Sequence, residues 1–385
     1  MTSREPAELD ELSDRHAEPN RRRRRRWPWV LGALAAVVVV ALVLVALYAG
    51  ALARSYDDNR RTVSAPNVTD GEGGAVNVLL LGSDSRGEDG SPDVEGERSD
   101  TMMVVHIPED RSGVYVMSIL RDLYVDIPGH GKGKINSALS KGGYELTVDT
   151  VEELLDIEVN HLVEIDFQGF RGVTEALGGV SVCNPTAFSS GVRNPSYFPR
   201  GEILLQDTAA LRYVRERHAF ASGDLTRVEN QQRVVFGALD RFLSVDVLAD
   251  PRRTMDVVST LSRHLTVDEG LDSRRVAGYG WDLRSIGSDD VEMFTIPNAG
   301  GAVEESGQQV VLPDERQLDR LKAAYARDDL GGYLREVERA EKEAAERRRA
   351  ERRASESAAP SSSDGASGPA SSAPAPVPAV EDPCG

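Results

Sequence analysis

The chain has 385 residues, enough for one large domain with appended segments. Its formal net charge is −18, which argues against a general nucleic-acid-binding protein, because such proteins present a basic face. Two cysteines exclude a disulfide-built scaffold and a zinc site with four thiolates. Among the basic residues 40 are arginine and 5 are lysine. Arginine suits forked recognition of phosphate and carboxylate groups, although GC-rich coding DNA also enriches it.

Residues 30–49 are 20 consecutive residues without a charge, and alanine, valine and leucine dominate them. As a helix they span roughly 30 Å, the hydrocarbon thickness of a bilayer. Six arginines at 21–26 precede this run, and Trp27 and Trp29 lie between the arginines and the run. Such a basic flank places an N-terminus in the cytoplasm. We therefore expect a cytoplasmic basic tail at 1–26 and a transmembrane helix at 27–50. Everything beyond the span carries a net charge of −20 and is expected outside the cell membrane.

A cleaved signal peptide is the alternative reading of this segment. Residues 51–53 read ALA, which is typical of a cleavage site. Apolar cores of signal peptides are about 7–15 residues long, and this run is longer. The length therefore favours an uncleaved anchor.

After the span, residues 51–74 are polar and read as a linker, and a globular pattern begins at residue 75. Short apolar runs predict strands, the first of them ended by Gly82, and apolar residues at helical spacing predict helices. The predicted strands cover 76–81, 101–107, 114–120, 162–166, 180–183 and 291–296. The predicted helices cover 134–141, 146–155, 167–177, 208–213, 224–243, 255–265, 273–281 and 313–327. This alternation favours an α/β fold, an α-β-α sandwich around a central mixed sheet over residues 75–327.

The C-terminal part of the chain changes character. Residues 328–355 are rich in Glu, Arg and Ala and predict a charged, solvated helix. Residues 356–385 are mostly Ser, Ala and Pro without an aromatic residue, which predicts a disordered tail. Cys183 lies in a predicted strand and Cys384 in this tail, so we do not expect them to pair.

Two acidic motifs flank the first predicted loop of the globular part. GSDSR at 82–86 directly follows one strand, and RSDT at 98–101 directly precedes the next. Adjacent strands joined by a loop bring Asp84 and Asp100 to the same edge of a sheet. Two carboxylates there suit one Mg²⁺, which leaves positions open for water and phosphate oxygens. Turn chemistry is the alternative, because Asp is common in loop caps.

Arginines and one glutamine form a second group of candidates. Arg121 ends a predicted strand and by itself reads as half of an ion pair with its neighbour. Arg215 and Arg217 are two residues apart, so in extended backbone both point to one face. Arg227 and Gln231 are four apart on a predicted helix, and Arg227 lies in its first turn, where a helix favours anions. The sequence therefore predicts a phosphate site, with a solvated basic face as the alternative.

Eight short motifs in one order make the chain resemble the LytR-CpsA-Psr family of bacterial envelope proteins. They are NVLLLGSDSR (77–86), RSDTMM (98–103), SILRD (118–122), GKGKIN (131–136), VEIDF (163–167), ALGGV (176–180), YVRERH (213–218) and GDLTR (223–227) with QQ (231–232). Each motif is weak alone, but the ordered series covers residues 75–243. The later part to residue 327 fits the rest of the same domain.

The resemblance implies transfer of a glycopolymer from a polyprenyl-pyrophosphate carrier to peptidoglycan through a phosphodiester. It implies that Asp84 and Asp100 hold Mg²⁺ and that these two residues, with Arg121 and Arg217, are catalytic. The implied pyrophosphate ligands are Arg86, Arg121, Arg215, Arg217, Arg227 and Gln231. A carboxylate near the metal, Asp84 or Asp100, is expected to accept the proton of the attacking sugar hydroxyl. The identity of the glycopolymer stays open.

The chain departs from the family pattern at several positions. Leu120 stands where the family usually has Pro, Asn230 replaces a frequent Arg beside Gln231, and Asp207 replaces a frequent Gly. The second cysteine that related proteins often carry near Cys183 is absent.

Other functions would use the same features differently. A non-catalytic binder of lipid pyrophosphate, or a pyrophosphatase acting on the same lipid, would need the same arginines. The presence of both Asp84 and Asp100 argues against a protein that only binds the lipid. A transcriptional regulator of the LytR type would have to contact DNA through the 26-residue tail, which has no DNA-binding fold.

Overall fold

The computed structural model describes residues 27–65, 68, 74–83, 99–191, 195–220, 223–304 and 306–358. It divides into two compact units, Met1–Ala51 and Leu52–Gly385. In the part of the chain that the structure describes, no helix is long and apolar enough to cross a membrane. The transmembrane helix over 27–50 therefore stays a prediction. The tail at 1–26, the loop over 87–96 and the end of the C-terminal tail lie outside the described residues.

Ten helices and fifteen strands are formed by the described residues. The helices are α1 (Trp27–Asn59), α2 (Ser137–Leu155), α3 (Phe167–Ala176), α4 (Asp207–Arg215), α5 (Asp224–Leu243), α6 (Val245–Leu248), α7 (Pro251–His264), α8 (Ser273–Asp282), α9 (Glu315–Ala326) and α10 (Leu330–Ala358). The strands are β1 (Arg61–Val63), β2 (Val76–Ser83), β3 (Ser99–Ile107), β4 (Val114–Ile119), β5 (Tyr124–Ile127), β6 (Gly131–Lys134), β7 (His161–Asp166), β8 (Val180–Asn184), β9 (Phe188–Ser190), β10 (Ser196–Phe198), β11 (Gly201–Leu205), β12 (Leu265–Asp268), β13 (Val291–Thr295), β14 (Asn298–Val303) and β15 (Gln309–Pro313).

Seven strands form a mixed central sheet in the order β1-β12-β7-β2-β3-β4-β13. The pairs β1–β12, β7–β2 and β4–β13 are parallel, and the other three are antiparallel. The predicted α/β fold with a central mixed sheet is confirmed, because every strand predicted from an apolar run lies in this sheet except residues 180–183. Those residues pair with β11 in a separate two-stranded ribbon.

Helices cover both faces of the sheet because its strands are apolar on both sides. Leu79 and Leu81 lie on one face, in a core shared with α2, α9 and the first turn of α10. Leu80 and Met103 lie on the other face, against Phe236 and neighbouring residues of α5. Residues that alternate along a strand point to opposite faces, so this division follows directly from the sequence pattern.

A second core lies beside the sheet and supports the chain that links α4 to α5. It contains buried residues of β8, β11, α4 and α5, with an aromatic group at its centre. The rings of Phe188, Phe198, Tyr213 and Phe220 lie 4.8–5.4 Å apart. Aromatic pairs at such separations contribute beyond their buried area. This core fixes the position of the segment that follows Tyr213.

Several predicted boundaries are corrected by the structure. The predicted helix over 134–141 is wrong at its start, because residues 131–134 form β6, which pairs with β5 in a hairpin. The first part of the predicted linker continues α1 to residue 59, and β1 then joins the central sheet beside β12. The predicted solvated helix begins inside the core, where Leu330 and Tyr333 are buried. These short segments contain too few apolar residues for the sequence pattern to predict their strand pairing or their burial.

The cysteine expectation is also wrong. Cys183 lies in β8 and is disulfide-bonded. The chain contains two cysteines, and Cys384 lies outside the described residues.

Candidate functional site

Four strand ends meet at one edge of the central sheet. Ser83, the last residue of β2, is in register with Ser99 of β3 and with Asp166 of β7. Asp84 follows Ser83 directly, and Asp100 follows Ser99. The topology therefore brings the chain at both predicted metal ligands to the same edge. Asp84, Arg86 and the side chain of Asp100 lie outside the described part of the structure.

The end of β4 carries Arg121 to the same edge. Met102 of β3 pairs with Ile119 of β4, and the two strands are antiparallel. Asp100 lies two residues before Met102 and Arg121 lies two residues after Ile119, so both are at the same end of this strand pair. The spacing of the two motifs in the sequence does not indicate this, because it follows from the antiparallel pairing of β3 with β4.

Arg121 and Arg227 share one carboxylate. Asp224 Oδ1 lies 2.8 Å from Arg227 Nη2 and 3.6 Å from Arg121 Nε. Arg227 is buried, and the other two side chains are about four-fifths buried. Asp224 is the first helical residue of α5, and the capping position is Gly223 with φ of +48°. Its carboxylate is therefore available to hold the two arginines together.

Lys134 adds a third cation that the sequence analysis did not include. Its Nζ lies 3.0 Å from Asp122 Oδ1, and Asp122 Oδ2 lies 3.7 Å from Arg121 Nε. The backbone also ties this segment to the arginine, because the amide of Asn136 donates to the carbonyl oxygen of Arg121 at 3.2 Å. Three cations against two carboxylates leave a local excess of positive charge at a strand edge. The GKGKIN motif was the available signal for Lys134.

Arg215 is held above an aromatic ring. Its guanidinium carbon lies 4.5 Å from the centroid of the Phe167 ring, a cation–π contact. Phe167 opens α3 directly after Asp166, the residue in register with the end of β2. Phe167 lies within the VEIDF motif, but nothing in the sequence predicts this contact. Arg215 is thereby directed toward the edge that also holds Arg121.

Arg217 lies in the turn after α4. The prediction that Arg215 and Arg217 share an extended segment is corrected, because Arg215 is the last residue of a helix and extended backbone begins at Glu216. Both arginines are nevertheless exposed, and the residue between them is buried. Arg217 Nε lies 3.5 Å from His218 Nε2. Two exposed guanidinium groups close together in the chain remain accessible to an anion.

Gln231 is buried on α5, one turn after Arg227. Its Nε2 lies 3.5 Å from the carbonyl oxygen of Val214, so the amide contacts the chain directly before Arg215. The next residue, Gln232, donates to Ser118 Oγ at 2.9 Å and to the carbonyl oxygen of Phe294 at 3.0 Å. The two amides tie α5 to α4 and to the ends of β4 and β13.

Carboxylates other than the predicted pair are engaged elsewhere at this edge. Asp166 accepts from the amide of Gly169 at 2.6 Å and caps α3. Within the described ranges, no group of three His, Cys, Asp or Glu residues could hold a metal ion. The predicted metal ligands Asp84 and Asp100 fall outside that search.

Sequence comparison assigns the family. The model described as the LytR_cpsA_psr family matches residues 43–327, nearly three quarters of the chain. The chain therefore belongs to the LytR_cpsA_psr family, as the ordered motifs predicted.

Individual relatives agree with this assignment. The polyisoprenyl-teichoic acid–peptidoglycan teichoic acid transferase TagU of Oceanobacillus iheyensis is 32% identical over 297 residues, which are 69% of this chain and 89% of that protein. The crystal structure of B. subtilis TagV has a TM-score of 0.57 at 25% identity and covers 67% of this chain and 98% of its own. TagT bound to LI-WTA has a TM-score of 0.54 at 26% identity, with coverages of 69% and 98%.

Proposed function

We propose that this protein transfers a glycopolymer from a polyprenyl-pyrophosphate carrier to peptidoglycan and joins the two through a phosphodiester. The observation that carries the proposal is the cation cluster at the sheet edge, where Arg121, Lys134 and Arg227 surround two carboxylates and Arg215 and Arg217 lie exposed nearby. Membership of the family and a relative named as a teichoic acid transferase support the same activity.

The reaction needs no further energy source because the pyrophosphate linkage is already activated. A sugar hydroxyl of peptidoglycan attacks the phosphorus that bears the glycan. The bond from this phosphorus to the bridging oxygen breaks, and polyprenyl phosphate leaves with that oxygen. Such a transfer depends on positioning and on neutralising charge at the phosphate oxygens. Guanidinium groups fixed before the reaction supply both, since each can donate two parallel hydrogen bonds to a phosphate.

We propose that the site also binds one Mg²⁺ through Asp84 and Asp100. The donor set fits, because two carboxylates on neighbouring strand ends are hard oxygen ligands that leave other positions for phosphate. The ion would neutralise charge on the pyrophosphate when bound. Either carboxylate would also be placed to take the proton of the attacking hydroxyl.

We further propose that residues 27–50 anchor the protein in the cell membrane with the main domain outside. The uncharged run and the six preceding arginines support this topology. A reporter enzyme that functions only outside the cytoplasm, fused after residue 385, should be active. The same reporter fused before residue 1 should be inactive, and activity in the opposite sense contradicts the anchor.

Transfer itself is tested with a short glycan linked to polyprenyl pyrophosphate and a peptidoglycan oligomer. We expect a covalent product with one phosphate between the two glycans, formed with Mg²⁺ and lost with a chelator. Formation of polyprenyl phosphate and free glycan phosphate without a joined product would favour the pyrophosphatase alternative. Binding of the lipid without either product would favour the non-catalytic binder. If a chelator abolishes transfer but the lipid still binds, transfer depends on the metal and binding depends on the arginines.

A further inference from the structure

Glu216 is the one carboxylate between the two exposed arginines, and it points away from them. Its side chain is buried with 8% of the residue exposed, while Arg215 and Arg217 on either side are exposed. A buried carboxylate is costly unless hydrogen bonds and charges compensate for the lost water. The contacts of Glu216 show how that compensation shapes the chain around it.

The carboxylate accepts hydrogen bonds from the backbone that follows it. Glu216 Oε1 lies 2.7 Å from the amide nitrogen of His218 and 3.0 Å from that of Ala219. The amide of Arg217 and the hydroxyl of Ser190 donate to it as well. Three successive backbone amides thus donate to one carboxylate. Turns that bind free anions use the same arrangement of amides, and here the protein's own carboxylate is the anion.

The turn formed in this way is the segment that presents Arg217. The amide of Phe220 lies 3.4 Å from the carbonyl oxygen of Arg217, and the Phe220 ring contacts the Phe188 ring at 4.8 Å. Ser190 ends β9, so its bond to the carboxylate ties the turn to the aromatic core. The Glu216 carboxylate therefore fixes the start of the turn through hydrogen bonds, and Phe220 fixes its end through packing against Phe188.

The charge state supports a fixed anion at this place. Burial alone would raise the pKa of the Glu216 carboxyl. The hydrogen bonds from Ser190 and from the three amides outweigh burial and lower that pKa below its usual range. The side chain is thus ionised at neutral pH and faces the backbone dipoles rather than the arginine side chains.

We infer that Glu216 is a positioning residue, which orders the turn so that Arg217 is presented in a fixed geometry to the pyrophosphate of the donor lipid. The inference rests on the proposed function, because it assigns a supporting role within that same anion site. Arg217 is exposed, and its side chain contacts the neighbouring His218, so its placement depends on the backbone that carries it. A displacement of about 1 Å at a reacting group costs roughly 10²-fold in rate.

The test compares Glu216→Gln with Glu202→Gln as a matched control. Glu202 is an exposed carboxylate on β11 that accepts from Ser181 Oγ at 2.7 Å, so it undergoes the same chemical change outside the turn. We expect Glu216→Gln to lower transfer by about 10²-fold and to weaken binding of farnesyl pyrophosphate, with Glu202→Gln at the wild-type level. Far-UV circular dichroism and a melting curve record whether each variant is folded.

A double-mutant cycle separates positioning from general loss of stability. In an Arg217→Ala background, Glu216→Gln should change transfer by no more than about twofold, because the residue that it positions is gone. Equal losses in both backgrounds would overturn the inference and indicate a structural effect only. Glu216→Asp, which keeps the charge on a shorter side chain, should recover part of the rate lost by Glu216→Gln.

The outcomes also distinguish this inference from the proposed function. If the wild-type protein neither binds farnesyl pyrophosphate nor transfers glycan, the proposed function fails. If the wild-type protein does both and Glu216→Gln matches it, the function stands and the positioning role is refuted. If Glu216→Gln is unfolded, the transfer rate of Glu216→Asp is compared with the wild type instead. A wild-type rate in that variant, folded but with an altered turn, would refute the role.

Discussion

Arg215 and Arg217 are exposed, so their side chains contribute little to the folded core. We expect Arg217→Ala to leave the melting temperature unchanged and to lower transfer by about 10²–10³-fold, the usual effect of losing a fixed donor to developing charge. Arg217→Lys should recover only part of the rate, because an ammonium cannot form a forked pair with two phosphate oxygens. Steady-state transfer kinetics with the lipid-linked glycan measure both variants.

Arg320→Ala is the control for that substitution. Arg320 forms an exposed ion pair with Glu336, 2.9 Å away, between α9 and α10. Surface pairs of this kind contribute between about 0 and 1 kcal/mol to stability. Transfer by Arg320→Ala should equal that of the wild type. A wild-type rate for Arg217→Ala would show that this arginine does not contact the donor.

A buried histidine links β3 to the turn between α9 and α10. His106 Nε2 lies 2.9 Å from Asp328 Oδ1, and Nδ1 lies 2.8 Å from Asn77 Oδ1. Burial lowers the pKa of His106, and the nearby Asp328 carboxylate only partly offsets that effect. The unfolded chain, with an ordinary histidine pKa of about 6.5, therefore binds a proton at a higher pH than the folded protein.

Stability should consequently fall as the pH drops from about 7 toward the lowered pKa, because the unfolded state binds more protons in that window. We expect His106→Gln to be less stable at neutral pH but to lose less stability between about pH 7.5 and 5.5, by roughly 1 kcal/mol. Thermal unfolding at the two pH values measures the difference. His130→Gln, on the exposed turn of the β5–β6 hairpin, should keep the wild-type pH dependence; an unchanged slope in His106→Gln would contradict the assignment.

The contact between α5 and β8 depends on the absence of a side chain. A Cβ at Gly237 would lie 2.5 Å from the carbonyl oxygen of Ser181 and 2.8 Å from Val180 Cγ1. Because backbone cannot move aside as a flexible side chain can, Gly237→Ala should destabilise the protein by about 1–3 kcal/mol. Chemical denaturation measures this change.

Gly278→Ala is the matched substitution in another helix. A Cβ at Gly278 of α8 would have nothing within 4 Å. Alanine has the higher helix propensity, so this variant should be as stable as the wild type or up to about 1 kcal/mol more stable. Equal effects at the two glycines would show that helix propensity, and not close packing on β8, decides the outcome.

At the scale of the whole molecule, the core does not end where the family match ends at residue 327. Leu330 and Tyr333 of α10 are buried in the main core, and the helix is exposed from residue 338 to 341. A chain stopped after residue 329 should lose about 3–5 kcal/mol, the usual effect of removing large buried side chains. A chain stopped after residue 341 should retain most of its stability.

Both truncations remove Cys384, so any contribution from the bond at Cys183 cancels in the comparison. Unfolding curves of the two shortened proteins measure the difference directly. Equal stabilities would show that the first turns of α10 are dispensable to the core.

Much of the fold could be predicted from the sequence because its signals are local. The long strands of the central sheet are rich in apolar residues, and each amphipathic helix repeats its apolar residues at helical spacing. The family could be identified for the same reason, since its motifs are short contiguous strings. Asp84 and Asp100 could be proposed as neighbours because each lies next to the end of a predicted strand.

The tertiary structure decided the contacts that join distant parts of the chain. Phe167 contacts Arg215, Lys134 reaches Asp122 from a hairpin that reads as glycine and charge, and Asp224 joins two arginines 106 residues apart in sequence. Glu216 reads as a charged residue between two arginines, and only the folded turn shows that it is buried beneath them. The sequence by itself determined which segments become strands and helices and which family they form, because hydrophobic burial is periodic along the chain. It did not determine which charges meet, because electrostatic and hydrogen-bond partners depend on strand register and helix packing, which bring together residues with no sequence proximity.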